Sequence, residues 1–141
     1  MSKRIFSIII TILLAIEIFH FSSLPGTIDT GGPPLISVAY HLVIFFLLTF
    51  FIIQSIKSKH KIETGQIIIT LLISILYAIS DEIHQSFIPM RHCGFFDILI
   101  DLTGIFFAIL ISLYIQKKTK PQQQFSNHLL RAEEEYENAD D

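Results

Sequence analysis

The sequence predicts an all-α fold: an integral membrane four-helix bundle with short loops and a flexible cytoplasmic C-terminal tail. Hydrophobic residues make up 51% of the 141 residues, and only 16% are charged, which is typical of a membrane protein. The apolar residues form long continuous runs that leave no polar face for water. Four such runs, separated by turn-forming or basic segments, predict four membrane helices in one domain.

The first two helices are predicted at about residues 5–21 and 35–54. Two basic residues precede the first run, and a Ser-Ser-Leu-Pro-Gly turn signal follows it. We favour a membrane helix over a cleaved signal peptide, because Glu17 falls where a cleavage region would be small and neutral. A short connection rich in glycine and proline leads to the second helix.

The third and fourth helices are predicted at about residues 66–87 and 95–115. The third apolar run ends at Ile79 and is too short to span a bilayer, which needs about 20 residues. It crosses only if it includes the polar stretch DEIHQ at residues 81–85; a re-entrant segment is the less favoured alternative. Pro89 should end this helix, since it lacks a backbone donor and disfavours helical geometry in the preceding residue.

The membrane domain is expected to end at about residue 120. Residues 121–141 are rich in glutamine and then in acids. They show no apolar face strong enough to fold alone, so we expect a disordered acidic tail. Cys93 is the single cysteine, which excludes an internal disulfide.

The distribution of basic residues predicts the orientation. Nine of the ten lie before helix one, between helices two and three, or after helix four, and Arg91 alone lies on the other side. The positive-inside rule then places both termini in the cytoplasm and the loops at 22–34 and 87–94 outside. We expect a multi-pass protein of the cell (plasma) membrane.

Ionisable residues of the four helices are predicted to converge in the outer half of the membrane. A rise of 1.5 Å per residue places His41 about 9 Å inside helix two. Residues 81–85 occupy the outer end of helix three, and Asp97 and Asp101 lie within about 9 Å of the start of helix four. Because independent helices agree on one depth, we expect a shared site.

The helix faces agree with this shared depth. At 100° per residue, Asp81, His84 and Gln85 lie on one face of helix three. On helix four, the two aspartates share a face with Gly104 and Ala108, a small-xxx-small pair that lets another helix approach closely. The carboxylates are therefore expected to point into the bundle.

One pattern runs through helices three and four. It consists of DEIHQ at residues 81–85, Phe-Ile-Pro at 87–89, Arg91, and D-x-x-x-D-x-x-G over residues 97–104. This pattern resembles the signature of the VanZ-like family of small bacterial and archaeal membrane proteins, with weaker echoes at residues 21–23 and at His41. The resemblance implies a VanZ-like domain of four membrane helices over residues 1–120.

The family takes its name from a protein that contributes to teicoplanin resistance. The resemblance therefore implies some action on cell-wall material or its lipid carriers, without supplying a reaction. The family often has glycine where Met90 stands and small residues where His92 and Cys93 stand. These departures concern the geometry of the loop and leave the charged positions untouched.

The first functional hypothesis is a membrane enzyme acting on a lipid-linked phosphate or glycan in the outer leaflet. Carboxylates would act as general acid or base, and His84 would transfer protons or bind a metal. Arg91 would hold a phosphate bidentately. The predicted catalytic residues are Asp81, Glu82, His84 and Asp101. The predicted substrate-binding residues are Arg91, Gln85, Asp97 and His41.

The cofactor is unknown from the sequence, although oxygen-rich ligands such as Asp97 and Asp101 suit a divalent metal of the Mg²⁺ or Mn²⁺ type. A zinc peptidase is disfavoured, because the stretch at 81–85 lacks two histidines at i and i+4. Expected partners are membrane lipids and a lipid-linked cell-envelope precursor, and no nucleic acid. A homo-oligomer is left open.

Whether the protein is an enzyme is also left open. In a purely structural network, Arg91 would pair with Asp97, and Asp101 with His84 or His41, because unpaired charges in lipid are costly. A second functional class is a non-enzymatic binding or accessory protein of the envelope.

A transporter is disfavoured because the chain has no inverted repeat. Glu17 and His20 are secondary candidates, since they could equally snorkel to the headgroups.

Overall fold

Four apolar runs form four long α-helices. The computed structural model describes residues 3–25, 35–58, 61–91 and 94–137, with side chains after residue 119 limited to Leu129 and Arg131. The predicted all-α four-helix fold is confirmed. The helices are α1 (Lys3–Ser22), α2 (Leu35–Ile56), α3 (Thr64–Gln85) and α4 (Phe95–Glu137).

Each helix has the length and composition of a membrane span. The spanning part of α4 covers Phe95–Thr119, and the other three helices contain 20 or 22 residues, or roughly 30–33 Å of helix. Large apolar side chains face outward on all sides, including Ile16 (60% exposed), Leu76 (65%) and Phe106 (58%). So much exposed apolar surface is unfavourable in water and favourable against lipid tails. The chain is a multi-pass membrane protein.

Helix α2 lies at the centre of the bundle. It contacts each of the other three helices, and its interface with α4 is the most extensive. Phe45 and Leu48 of α2 share one buried cluster with Ile18 of α1 and Ile105 of α4. The position of α4 relative to α2 therefore depends on how closely these two backbones approach.

Gly104 determines that approach. A Cβ atom added at this position would lie 2.5 Å from the carbonyl oxygen of Leu42 and 3.1 Å from the backbone nitrogen of Phe46. Both atoms belong to the α2 backbone, which cannot rotate away as a side chain would. The small-xxx-small pair predicted from the sequence thus lies at the α2–α4 contact, with Ala108 fully buried one turn further along.

Helix α3 is continuous and as long as α2, so the polar stretch at 81–85 forms its last turns. The helix ends at Gln85, four residues before Pro89, and Ser86 to Ile88 continue in hydrogen-bonded turns. Its beginning is held by Gln66. The backbone N–H of Glu63 donates to Gln66 Oε1 at 3.0 Å, and Gln66 Nε2 donates to the carbonyl of Ile56 at 3.1 Å.

Helix α4 differs from its prediction in length. It continues to Glu137, beyond the predicted end at about residue 115 and through most of the segment 121–141 that was expected to be disordered. Disorder was expected because residues 121–141 lack an apolar face strong enough to fold alone. Twelve of the 21 residues in this segment are Gln, Glu, Ala, Leu or Arg, which are good helix formers. Extending an existing helix also avoids the cost of nucleation.

A cavity of about 560 Å³ lies at the end of the bundle where α1 begins and α2 ends. Residues of α1, α2 and α4 line it, together with Lys57, and they include Lys3 and Gln54. Burial lowers the pKa of Lys57, and the neighbouring charge of Lys3 lowers it further. None of the described residues that line it is acidic, and it lies at the opposite end of the bundle from the polar groups described below.

We expect Gly104→Ala to reduce the free energy of unfolding by roughly 1–3 kcal/mol, as overpacking does in a well-packed core. The α2 backbone must shift to admit the new methyl group. Thermal unfolding followed by circular dichroism in detergent measures the effect.

Gly65→Ala provides the matched control. Among the described residues, nothing lies within 4 Å of a Cβ atom added there. Alanine also has the higher helix propensity, so the melting temperature of this variant should be unchanged or slightly raised. Equal melting temperatures for the two variants would refute the close contact at Gly104.

Candidate functional site

Six buried polar side chains lie at one end of the bundle, and among the described residues they include all the buried ionisable ones. We call it the site end: the end at which α1 and α3 finish and α2 and α4 begin. Each of the four helices contributes at least one buried polar residue there, and none of these residues is more than 6% exposed. They are Ser22, His41, Asp81, Glu82, Gln85 and Asp101.

His41 and Asp101 form a hydrogen-bonded pair between α2 and α4. His41 Nδ1 lies 3.0 Å from Asp101 Oδ1. The two residues meet because Gly104, one turn after Asp101, brings the backbones together next to Leu42. The pairing holds one ring nitrogen at Asp101, so the other nitrogen, Nε2, is available for a second partner.

Two buried polar atoms close to this pair are incompletely satisfied. Among the described residues, Asp101 Oδ2 and the Tyr40 hydroxyl have no hydrogen-bond partner. A buried acceptor or hydroxyl without a partner costs roughly 1–3 kcal/mol, so such atoms often mark a place where a ligand or water completes the site.

Asp81 is held by two donors. Ser22 Oγ donates to Asp81 Oδ1 at 2.5 Å, and Gln85 Nε2 donates to Asp81 Oδ2 at 2.7 Å. Asp81 and Gln85 are four residues apart on α3, so their side chains lie on one face of the helix. Ser22 reaches them because it is the last residue of α1. Both carboxylate oxygens are thereby fixed in position.

Arg91 joins this network to the end of α1. Its Nη1 donates to Gln85 Oε1 at 3.0 Å, its Nε donates to the carbonyl of Leu24 at 3.0 Å, and its Nη2 donates to the carbonyl of Phe21 at 2.6 Å. A cation is favourable at a helix C-terminus, where carbonyls lack helical partners. Arg91 reaches Asp81 through Gln85 and not directly, and three of its five N–H groups are used in these contacts.

Glu82 is one of the most deeply buried side chains, at 1% exposure. Its Oε2 accepts the backbone N–H of Gly94 at 3.1 Å. This contact ties the end of α3 to the residue before α4 and directs Glu82 towards a different neighbour from Asp81. The two adjacent carboxylates therefore belong to different parts of the same network.

Three of these residues together have the donor set of a metal site. Ligand atoms of His41, Asp81 and Glu82 all lie within 4.8 Å of one another, and all three side chains are buried. The same three groups could equally relay a proton, since a histidine beside carboxylates is a common acid–base arrangement. The geometry thus supports proton transfer or cation binding.

The remaining predicted residues lie around this centre. His84 faces α1, where its Nε2 is 3.0 Å from Ser23 Oγ and its ring stacks on Phe19 at 4.7 Å between centroids. Asp97 is half-buried in the first turn of α4. The secondary candidates Glu17 and His20 are exposed on α1.

The structure thus brings His41, Asp81, Glu82, Gln85 and Asp101 together and places Arg91 one hydrogen bond away. His84 lies to one side. Of the pairings in the structural alternative, His41–Asp101 is formed, whereas the described contacts of Arg91 are to Gln85 and to backbone carbonyls. His92 and Cys93 lie outside the described residues.

Comparison with known families decides the identity. The sequence model of the VanZ/LLP1 family matches residues 2–116, which is most of the chain and every helix of the bundle. The chain belongs to the VanZ/LLP1 family. No curated protein and no solved structure matches it significantly.

Membership confirms the resemblance predicted from the sequence. The matched range contains all the buried polar residues of the site end and stops before the polar continuation of α4. The family match therefore covers the four membrane helices of the bundle.

Met90 is one of the positions at which this chain departs from the VanZ-like pattern, and its backbone is unusual. Its φ angle is 61°, in the left-handed region that glycine adopts readily and that costs other residues roughly 1–2 kcal/mol. The side chain is 54% exposed, so little packing offsets this cost. The glycine often found in the family fits the conformation observed here.

Sequence reasoning did not assign roles to Ser22, Ser23 or Tyr40. A serine at the end of an apolar helix reads as a turn residue, and only the packing of α1 against α3 turns Ser22 into a donor for Asp81. The feature of the sequence that indicated a role for Ser22 and Ser23 was the weak resemblance to the family at residues 21–23. For Tyr40, the signal was its position one residue before His41.

We expect Met90→Gly to raise the free energy of unfolding by roughly 0.5–1 kcal/mol, because relief of the left-handed strain exceeds the added entropy of the unfolded chain. Met90→Val should lower it, since a β-branched residue tolerates positive φ poorly. Melting temperatures in detergent provide the measurement.

Phe87→Gly is the control in the same loop. Phe87 is also exposed, at 78%, but it lacks the positive φ. Glycine there should therefore be neutral or destabilising. If glycine stabilised both positions equally, strain at Met90 would not be the cause.

Proposed function

We propose that this VanZ-like protein acts in the outer leaflet of the cell membrane on a lipid-linked envelope intermediate that carries phosphate or a glycan, and that it contributes in this way to glycopeptide resistance. The observation that carries the proposal is the convergence of His41, Asp81, Glu82 and Asp101 from three helices at the site end. Polar groups at this depth are expensive in a bilayer and commonly mark function.

The chemistry available there is acid–base chemistry. Asp101 holds His41 by one ring nitrogen, as the aspartate of a catalytic triad holds its histidine. Asp81 and Glu82 supply carboxylates within 4.8 Å of that histidine. Such a group can accept a proton from an attacking hydroxyl or water and return it to a leaving oxygen.

Arg91 supports recognition of a phosphate. It lies at the edge of the bundle, half-buried, with three N–H groups engaged and a full positive charge. A lipid phosphate at the headgroup level would meet this charge before it reached the carboxylates. The proposal assigns Arg91 two roles, closing the network through Gln85 and attracting the anionic headgroup.

A second candidate is a non-enzymatic envelope binding or accessory protein. It is favoured by the burial of the network, since Asp81, Glu82, Asp101 and His41 are at most 6% exposed and most of their polar atoms are already paired. An anionic ligand would then bind at the surface near Arg91, and the buried groups would only hold the helices in position.

Neutral isosteres distinguish the two candidates. Expressed in a teicoplanin-susceptible bacterial host, the wild-type protein should raise the minimal inhibitory concentration. If the site is catalytic, Asp81→Asn and Glu82→Gln should abolish that increase, because losing an acid or base commonly reduces a rate by roughly 100-fold or more.

Glu17→Gln is the matched control, since Glu17 lies on α1 and is exposed; it should behave as wild type. Immunoblots check that all variants reach the membrane in equal amounts. If both isosteres retain resistance while Arg91→Lys loses it, the protein binds an anion and does not catalyse a reaction, because lysine keeps the charge but not the guanidinium geometry.

Orientation has a separate test. In a Cys93→Ser background, Phe87→Cys places a thiol at the site end and Lys61→Cys places one at the opposite end, both at exposed side chains. A membrane-impermeant maleimide should label the cysteine at 87 in intact cells and the cysteine at 61 only after permeabilisation. The reverse pattern would rule out an outer-leaflet substrate.

A further inference from the structure

We propose that His41, Asp81 and Glu82 bind one divalent transition-metal cation of the Zn²⁺ or Mn²⁺ type at the site end. The proposal concerns the same residues as the proposed function and rests on it for its biological meaning. Metal binding itself can be measured without any substrate.

The spacing of the ligand atoms favours a single bound cation. One ring nitrogen and two carboxylate oxygens lie within 4.8 Å of one another. A cation with bonds of about 2.0–2.2 Å in tetrahedral geometry places its ligand atoms roughly 3.3–3.6 Å apart. The three ligand atoms therefore need to move towards a common centre by only a small part of the length of their side chains. They come from α2 and from adjacent positions on α3, so the helices themselves need not move.

Hydrogen bonds from neighbouring residues hold the three ligand side chains in position. Asp101 Oδ1 lies within hydrogen-bond distance of His41 Nδ1, at 3.0 Å. A carboxylate in this position orients metal-bound histidines and leaves Nε2 for the cation. Ser22 and Gln85 donate to Asp81, and the backbone N–H of Gly94 donates to Glu82. Each ligand is held, as is usual around a metal.

The grouping of buried carboxylic groups at the site end also favours a bound cation. Asp81, Glu82 and Asp101 are three buried carboxylic groups near one histidine, and the described contact of Arg91 with Asp81 runs through Gln85. Grouped carboxylates in a low-dielectric interior require protons or a cation. Asp101 Oδ2 is buried with no hydrogen-bond partner among the described residues, so the polar environment of the pair is incomplete as it stands.

The donor types indicate the class of metal. Imidazole favours Zn²⁺ and related transition metals, and carboxylates also suit Mn²⁺, whereas Ca²⁺ and Mg²⁺ prefer oxygen ligands alone. Catalytic Zn²⁺ takes three protein ligands, from among His, Cys, Asp and Glu, and keeps one position open for water. In the framework of the proposed function, that position would face the lipid phosphate.

The test uses the full-length protein, purified in detergent, stripped with a chelator and dialysed against Zn²⁺, Mn²⁺ or Mg²⁺. Bound metal is measured by inductively coupled plasma mass spectrometry, and affinity by competition with a fluorescent chelator. Wild type should retain about one Zn²⁺ or Mn²⁺ per chain, and Zn²⁺ should raise its melting temperature, as a ligand of the native state does.

The variants address the ligands directly. His41→Ala and Glu82→Gln should lose the bound metal, whereas His20→Ala and Glu17→Gln, which change the same residue types at exposed positions of α1, should retain it. Asp101→Asn should weaken affinity by roughly 10–100-fold without abolishing it, because it acts through His41. This isosteric change preserves shape, so it reports on the site even if His41→Ala fails to fold.

The proposal is overturned if wild type retains no metal, if only Mg²⁺ is retained, or if the exposed control variants lose as much metal as His41→Ala and Glu82→Gln. Its outcome is separable from that of the proposed function. Metal binding combined with resistance that survives Asp81→Asn would refute the function alone, and resistance that depends on Asp81 without bound metal would refute the metal site alone.

Discussion

The close contact of α2 with α4 at Gly104 is the constraint on which the rest of the structure depends. Leu42 and Phe46 present backbone atoms where any larger residue would place its Cβ. In a membrane, apolar side chains gain little by leaving lipid for another helix, so helix pairs are stabilised by close packing of small residues. The contact brings His41 of α2 against Asp101 of α4. Without it, both would be polar groups in an apolar environment.

A chain of hydrogen bonds extends from that contact to the edge of the bundle. Asp81 is held by Ser22 and Gln85, and Gln85 is held by Arg91, which also satisfies carbonyls at the end of α1. Each bond removes an unpaired group from a region of low dielectric constant, where such a group is most costly. The network therefore stabilises the bundle and at the same time positions carboxylates around His41. Structural and functional roles are combined in the same residues.

Much of this arrangement follows from the sequence. Helix length and hydropathy predict the four spans, and the rise per residue places His41, residues 81–85 and Asp101 at one depth. The side chain that meets a given partner was less predictable. Glu82 falls outside the face shared by Asp81 and Gln85 but is buried because it reaches Gly94, the residue before the next helix. His84 lies on the predicted face and contacts α1 at Ser23. Arg91 binds carbonyls that carry no sequence signal at all.

The sequence by itself determined the membrane class, the number of helices, the membership in a family and the depth of the polar residues. These depend on local quantities: apolar length, helical rise and residue type. Only the tertiary structure decided that His41, Asp81 and Glu82 form one group with Asp101 behind His41. That grouping depends on the rotation and separation of helices, which are set by backbone contacts such as Gly104 with Leu42. Such contacts join residues about 60 positions apart in the chain, beyond the reach of any local pattern.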